Sequence, residues 1–183
     1  TIDALSAHIC VLDKKGQIIS VNRAWREFAD TNPPVLKNYA IGMNYLQVAE
    51  KAANSNEEGT FEFTSNLKEV LAGSLNSFTS EYPCHSPKEK RWFISRVTKF
   101  EEGESFRIVI AHENITTQKL FEETLRASEV RFSNAFENAP IGMALVATDG
   151  HILKVNRALC EFLGYSVGEL IQMNFQKITH PDD

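Results

Sequence analysis

Apolar and polar positions along the chain change period in a definite order. His8 to Asp13 alternates and reads as a strand, and Gln17 to Val21 reads as its return. Asp13-Lys14-Lys15-Gly16 between them is turn chemistry, so the pair forms a hairpin. Asn22 stands where strand gives way to helix and caps Arg23 to Asp30; a ligand contact is the alternative duty for this Asn. Trp25 and Phe28 stand three apart and share a helix face, read as a core face. Asn32-Pro33-Pro34 stops that helix. Met43 to Ala53 and Phe61 to Leu71 predict two further helices, the second ended by Gly73. Three strands follow: Ser77 to Cys84, Arg91 to Phe100 and Phe106 to Glu113, with turns at His85 to Lys90 and Glu101 to Glu104. Folding Ser77 to Lys99 about Lys88 sets Cys84 opposite Trp92 and Tyr82 opposite Ile94, a register that a one-residue slip would invert. Phe106, Ile108 and Ile110 face one way and Val109 and Ala111 the other. The last strand therefore reads as covered on both faces, one by its own helices and the other by a helix or a partner.

Ile115 to Asn138 lacks Pro and Gly. Phe121, Leu125, Ser128, Phe132 and Ala135 alternate steps of four and three, the spacing of a coiled-coil seam, and Leu120 and Phe136 widen the stripe. A helix of this length runs roughly 30 Å, more than a loop between packed elements needs. It reads as a rod between two units; an amphipathic helix packed on its own domain is the alternative. The chain repeats on either side of it. GQIISVNRAWREF, Gly16 to Phe28, returns as GHILKVNRALCEF, Gly150 to Phe162, and an apolar strand precedes each Gly. In the second copy Asn156 takes the place of Asn22, and Val167 to Met173 predicts another helix. Nothing after it corresponds to the last three strands, so this copy cannot bury a full core by itself. The expected organisation is a first domain over 1–115, a helical linker over 116–138 and the N-terminal part of a second domain over 139–183.

Length and composition, 183 residues with 43% hydrophobic and 23% charged, are those of an ordinary globular protein. The net charge of -5, with acids and bases intermixed, argues against a duplex nucleic-acid binder. No apolar run approaches membrane-spanning length and no signal peptide opens the chain, so no direct membrane contact is expected. Cys10, Cys84 and Cys160 are scattered thiols without a C-x-x-C, which points to a reducing compartment. A cytoplasmic location is expected, with a membrane anchor upstream in a longer parent left open.

The residues carry a resemblance. GQIISVNRAWREF and GHILKVNRALCEF resemble the second strand of the PAS fold and the helix it feeds. APIGMALVATDG and GYSVGELIQMNFQKITHPDD are similar to the S-box portion of PAS sensors. YPCHSPKEKRWFISRVTKF and RIVIAHENIT are similar to the last three strands of PAS domains in bacterial signalling proteins. The resemblance implies an α+β protein: a five-stranded antiparallel sheet with helices on one face, then a long linker helix and the start of a second PAS domain. It implies a non-enzymatic sensory module that reads a small ligand or redox state. The helical linker would pass the signal to an output domain, expected to be a histidine kinase in a two-component phosphorelay. A diguanylate cyclase or phosphodiesterase, or a ligand-free dimerisation module, is the alternative. A homodimer through the linker, with Phe121, Leu125, Ser128, Phe132 and Ala135 at its seam, follows from the same likeness. Pocket candidates are Phe28, Tyr45, Trp92, Ile94, Ile108, Ile110 and His112. Asn114, Ile115 and Thr116 occupy the relay position before the exit helix, where the family often has Asp-Ile-Thr, so a salt bridge from that Asp has no counterpart here.

The chemistry on offer is sparse. Gly42-Met43-Asn44-Tyr45-Leu46-Gln47 resembles the flavin-adduct motif G-x-N-C-R-F-L-Q of light-sensing PAS domains, but Tyr45 replaces the reactive Cys and the spacing is shorter. No cysteinyl-flavin adduct can form. The expectation is no cofactor, with a non-covalent flavin or a haem on His112 as alternatives. Cys84 and His85 point to opposite faces of a strand and lack two further ligands, so no metal is expected. His151 lies in a turn and is a poor phospho-acceptor; His180, Asp182 and Asp183 read as a solvated loop. No phosphate-loop, nucleophile-elbow or H-E-x-x-H motif occurs.

Overall fold

A computed structural model describes residues 2–32, 37–54, 60–85, 89–103 and 105–179. The stop at Pro33-Pro34, the pivot at Lys88, and His180, Asp182 and Asp183 lie outside the described residues. The chain divides into two compact units, Thr1–Leu120 and Phe121–Asp183.

In the first unit β1 (His8–Leu12) and β2 (Ile18–Val21) form the expected hairpin, and α1 (Arg23–Thr31) follows. A short turn of 3-10 helix, Lys37–Ala40, leads to α2 (Tyr45–Asn54) and α3 (Thr60–Ala72). Then come β3 (Ser77–Pro83), β4 (Trp92–Glu102) and β5 (Ser105–Asn114). The five strands form one antiparallel sheet in the order β2-β1-β5-β4-β3. The helices cover one face over a core of Cys10, Leu12, Ile18, Val21, Leu67, Val70, Val97, Ile108 and Ile110. Pairing places Ile9, Val11, Ile94, Val109 and Ala111 on the opposite face.

The register between β3 and β4 corrects the expected one by one residue. Pro83 pairs with Trp92, Tyr82 with Phe93 and Glu81 with Ile94. The expected pairing would have turned Arg96 into the core and Phe93 and Val97 out of it. The observed one buries Phe93, Ser95 and Val97 and leaves Arg96 exposed, because a charged side chain without a buried partner is costly inside. Glu101 and Glu102, expected in a turn, extend β4 instead.

α4 (Thr116–Glu137) is one uninterrupted helix, and the division between the units falls within it. In the second unit β6 (Ala144–Val146) and β7 (Ile152–Val155) form a hairpin, followed by α5 (Arg157–Leu163) and α6 (Val167–Ile171). Ile152, Val155 and Leu170 are buried under Leu159, Cys160, Leu163, Met173 and Ile178. A reciprocal bond pair between Ser166 and Glu169 caps α6.

The repeat in sequence is a repeat in hydrogen bonding. Asn22 is fully buried; its Oδ1 accepts from the N–H groups of Ile9 and Trp25, and its Nδ2 donates to the carbonyls of Ile2, Leu5 and Ala7. Asn156, also fully buried, accepts from Met143 and Leu159 and donates to Phe136 and Ile141. The Asn thus does more than cap a helix. It ties hairpin, helix and the incoming segment together, and its amide is spent on backbone. Among the described residues no helix is long and apolar enough to cross a membrane.

Candidate ligand-binding site

Polar side chains from one helix and two strands of the first unit meet at one place. Tyr45 opens α2, Tyr82 lies near the end of β3, and His112 lies near the end of β5. The observed register brings Tyr82 and His112 onto the helix-covered face, since Ser95 pairs with both Ser80 and His112. The Tyr82 hydroxyl stands 2.7 Å from Nδ1 of His112, and the Tyr45 hydroxyl stands 3.0 Å from its Nε2. A neutral imidazole has one donor and one acceptor nitrogen, so both ring atoms are satisfied. The ring is kept neutral: burial, with the neighbouring His8 adding to it, pushes the His112 pKa down to about 4. Burial likewise raises Tyr45 and Tyr82, with smaller contributions from Cys10 and Tyr82 on the former and from Cys84 on the latter. The buried Cys10 thiol is raised by burial too and is not a nucleophile.

A cavity of about 290 Å³ opens beside this relay. Its walls include Trp25, Phe28, Tyr45, Tyr82, Phe93 and His112. The rings meet each other as well: His8 lies 4.5 Å from Phe28, Phe28 5.7 Å from Phe93, and Trp25 6.0 Å from His112. Behind Trp25 the backbone is strained. Asn38, Tyr39 and Ala40 adopt positive φ in succession, at 52°, 55° and 69°, though none is Gly. This turn presents the Tyr39 carbonyl to the Trp25 indole N–H at 3.3 Å and places Tyr39 and Ala40 at the cavity wall. At the margin Arg91 lies over the Phe28 ring at 5.5 Å and donates to the Asn32 side chain and the Cys84 carbonyl.

Of the residues expected to form a pocket, Phe28, Tyr45 and His112 line the cavity. Ile108 and Ile110 are on the same face but wholly inside the core. Trp92 and Ile94 are not brought to it: with β4 shifted by one residue they occupy the opposite face of the sheet, Trp92 packing edge-on against His85 at 5.1 Å. Tyr82, Phe93 and Trp25 take their place. The alternation Phe78, Ser80, Tyr82 is the signal that finds Tyr82: a polar tip on an otherwise core-directed face. Among the described residues no cluster of His, Cys, Asp and Glu could hold a metal ion. Both ring nitrogens of His112 are already bonded, which leaves none for haem iron.

The strands that carry the site end at the exit helix. The Ile115 N–H donates to the Trp92 carbonyl, the Trp92 N–H donates to Thr116 Oγ1, and the Thr116 N–H donates to Asn114 Oδ1. Asn114 therefore performs a neutral turn-closing role. Lys119 pairs with Glu81, next to Tyr82, at 2.6 Å. Further along α4, Phe121, Leu125, Ser128, Phe132 and Ala135 are all exposed, Phe121 by 70%. Phe136 is buried in the second unit, where Lys154 lies over its ring and Asn156 holds its carbonyl.

Sequence comparison gives these features a context. A PAS domain family profile matches residues 6–117, and a second PAS domain profile matches residues 130–183. An uncharacterised 104.1 kDa protein of Rhodobacter capsulatus is 35% identical over 119 residues, 63% of this chain and 12% of that protein. A probable diguanylate cyclase of Escherichia coli is 42% identical over 83 residues, 43% of this chain and 8% of that protein. A sensor histidine kinase of Ectopseudomonas mendocina is 34% identical over 59 residues, 32% of this chain and 6% of that protein. The chain thus spans a small part of the length of each relative.

Proposed function

The chain belongs to the PAS domain family, and from that premise we propose that its first unit is a ligand-responsive sensor that acts on α4. The observation that carries this is the closeness of cavity and exit. Tyr82, Phe93 and His112 line the cavity, and Glu81, Trp92 and Asn114, one or two residues away on the same strands, contact or precede the first turn of α4. A ligand that shifts the strand ends must shift the helix start.

The helix passes the change on by pairing with a second copy of this chain through Phe121, Leu125, Ser128, Phe132 and Ala135, whose spacing fits a two-stranded seam. The output domain lies in a longer parent chain, located in the cytoplasm. A histidine kinase working in a phosphorelay is the first reading, supported by the kinase relative. A diguanylate cyclase is the second, supported by the higher identity to the cyclase relative. The division of labour is a sensor over 1–115, a linker over 116–138 and a second sensor's N-terminal part over 139–183.

Filling the cavity tests the reading. Ala29 lies on its wall, and Ala29→Phe occupies the space without ligand. Amide exchange in the first two turns of α4 should change severalfold, against no change for a substitution at exposed Thr98. Unaltered exchange in α4 would leave only a ligand-free dimerisation module.

A further inference from the structure

We propose that the cavity of the first unit takes a small, uncharged, planar aromatic molecule that carries a hydrogen-bond acceptor. This rests on the reading of the cavity as a ligand site and names the chemistry of its occupant.

Counting donors fixes the polarity. Each phenol has one O–H and the neutral imidazole has one N–H. Two hydrogen bonds join the three groups. In either tautomer one phenol donates to the ring, the ring donates to the other phenol, and that second phenol keeps its own hydrogen. Among the described residues neither hydroxyl has another partner. Both Tyr45 and Tyr82 line the cavity, so the surplus donor is offered there. A donor buried among rings is stabilised by an acceptor. The neutrality of His112 matters, because an imidazolium would donate twice and leave both phenols with hydrogens to place.

The walls fix the rest. Trp25, Phe28, Tyr45, Tyr82 and Phe93 offer ring faces and edges, which suit a flat aromatic. No Asp, Glu, Lys or Arg lines the cavity. A cation would lack a counter-charge and would lie near the Arg91 guanidinium, which stands over the Phe28 ring. An anion would lose its hydration without gaining a lining cation, since Arg91 is engaged by Asn32 and the Cys84 carbonyl. A volume of about 290 Å³ is at the lower end for ligand pockets and suits one or two fused rings, not a flavin or haem.

Quinoline and naphthalene share one bicyclic frame, and quinoline alone has an in-plane lone pair. Both are titrated into the full chain at mildly alkaline pH, where quinoline is uncharged, and followed by NMR with the His112 ring nitrogens as reporters. Quinoline should bind about three- to tenfold more tightly, and the double variant Tyr45→Phe/Tyr82→Phe should bind both alike. Equal affinities in the wild type would overturn the acceptor requirement while leaving the cavity a ligand site. No binding of either would overturn both. If the double variant does not fold, the wild-type ratio still decides.

Discussion

His112 shows how one residue is set by what surrounds it. It is a His on the inner face of a central strand, where burial alone would leave two nitrogens in need of partners. Tyr45 and Tyr82 supply them from a helix and from a strand remote in sequence. The pKa near 4 has a thermodynamic consequence. Folding depresses this pKa below the ordinary value of 6.5, so the unfolded chain binds the proton more readily between those values. Stability is full above the unfolded pKa and falls as pH drops through that window. The half-buried His8, also lowered by burial, acts in the same direction. Urea unfolding near pH 5 should show about 2 kcal/mol less stability than near pH 7 on account of His112. His112→Gln, which retains a donor and an acceptor for the phenols, should remove most of that difference. An equal slope in the variant would mean that the loss arises elsewhere. Tyr45 was a pocket candidate in the sequence, and it lines the cavity. Its bond to His112 was not legible there, because the pairing joins residues 67 apart.

At the level of elements, α4 is held at its start and at its end, and the side chains of its seam between them are exposed. Thr116 and Lys119 attach its first turn to β4 and β3; in the second unit Asn156 and Lys154 hold its last turn. An ion pair as exposed as Lys119–Glu81 is worth about 1 kcal/mol at most, so the bonds that the Trp92 backbone makes with the Ile115 N–H and with Thr116 Oγ1 share the first attachment. Between the ends, Phe121, Leu125 and Phe132 are at least half exposed. A large apolar stripe left in water marks an interaction surface, and its seam spacing is the ground for the proposed pairing with a second copy. If the proposed dimer forms through this stripe, sedimentation should find the wild type dimeric and Leu125→Glu/Phe132→Glu monomeric, while far-ultraviolet circular dichroism keeps its helical signal. A variant that remains dimeric would place the contact on another surface. The helix itself was plain in the sequence, because its period is strong and nothing breaks it. The hairpin and the N-capped α1 were equally plain, resting on turn and cap chemistry within a few residues. The β3–β4 register was not, because nothing in the polar run from His85 to Lys90 singles out a pivot. That single step of one residue sent Trp92 and Ile94 to the wrong face and hid Phe93 from the site.

The two units share a pattern and differ in what they can bury. The Asn22 and Asn156 hubs hold matching backbone groups, so the sequence repeat translated directly into geometry. The first unit adds three strands and two helices to that pattern and gains a core spanning sheet and helices. The second has a two-stranded sheet and a core centred on Ile152, Val155 and Leu170, while Phe162 is 83% exposed. A hairpin with so little covering is marginal in water. The second unit should therefore unfold at lower urea than the first. The protein carries its own reporters for this difference. Its two tryptophans, Trp25 and Trp92, both lie in the first unit, so their fluorescence reads that unit alone, whereas circular dichroism reads helices in both. The circular dichroism transition should begin at distinctly lower urea than the fluorescence transition, and a two-state fit to the pair should fail. Added stability in the second unit, for instance from a polar replacement of the 83% exposed Phe162, should bring the curves together from the low-urea side. Superimposable transitions in the present chain would instead mean that α4, fixed to both units, makes them melt as one. Shared unfolding of that kind would give a change at the cavity an energetic route to the second unit.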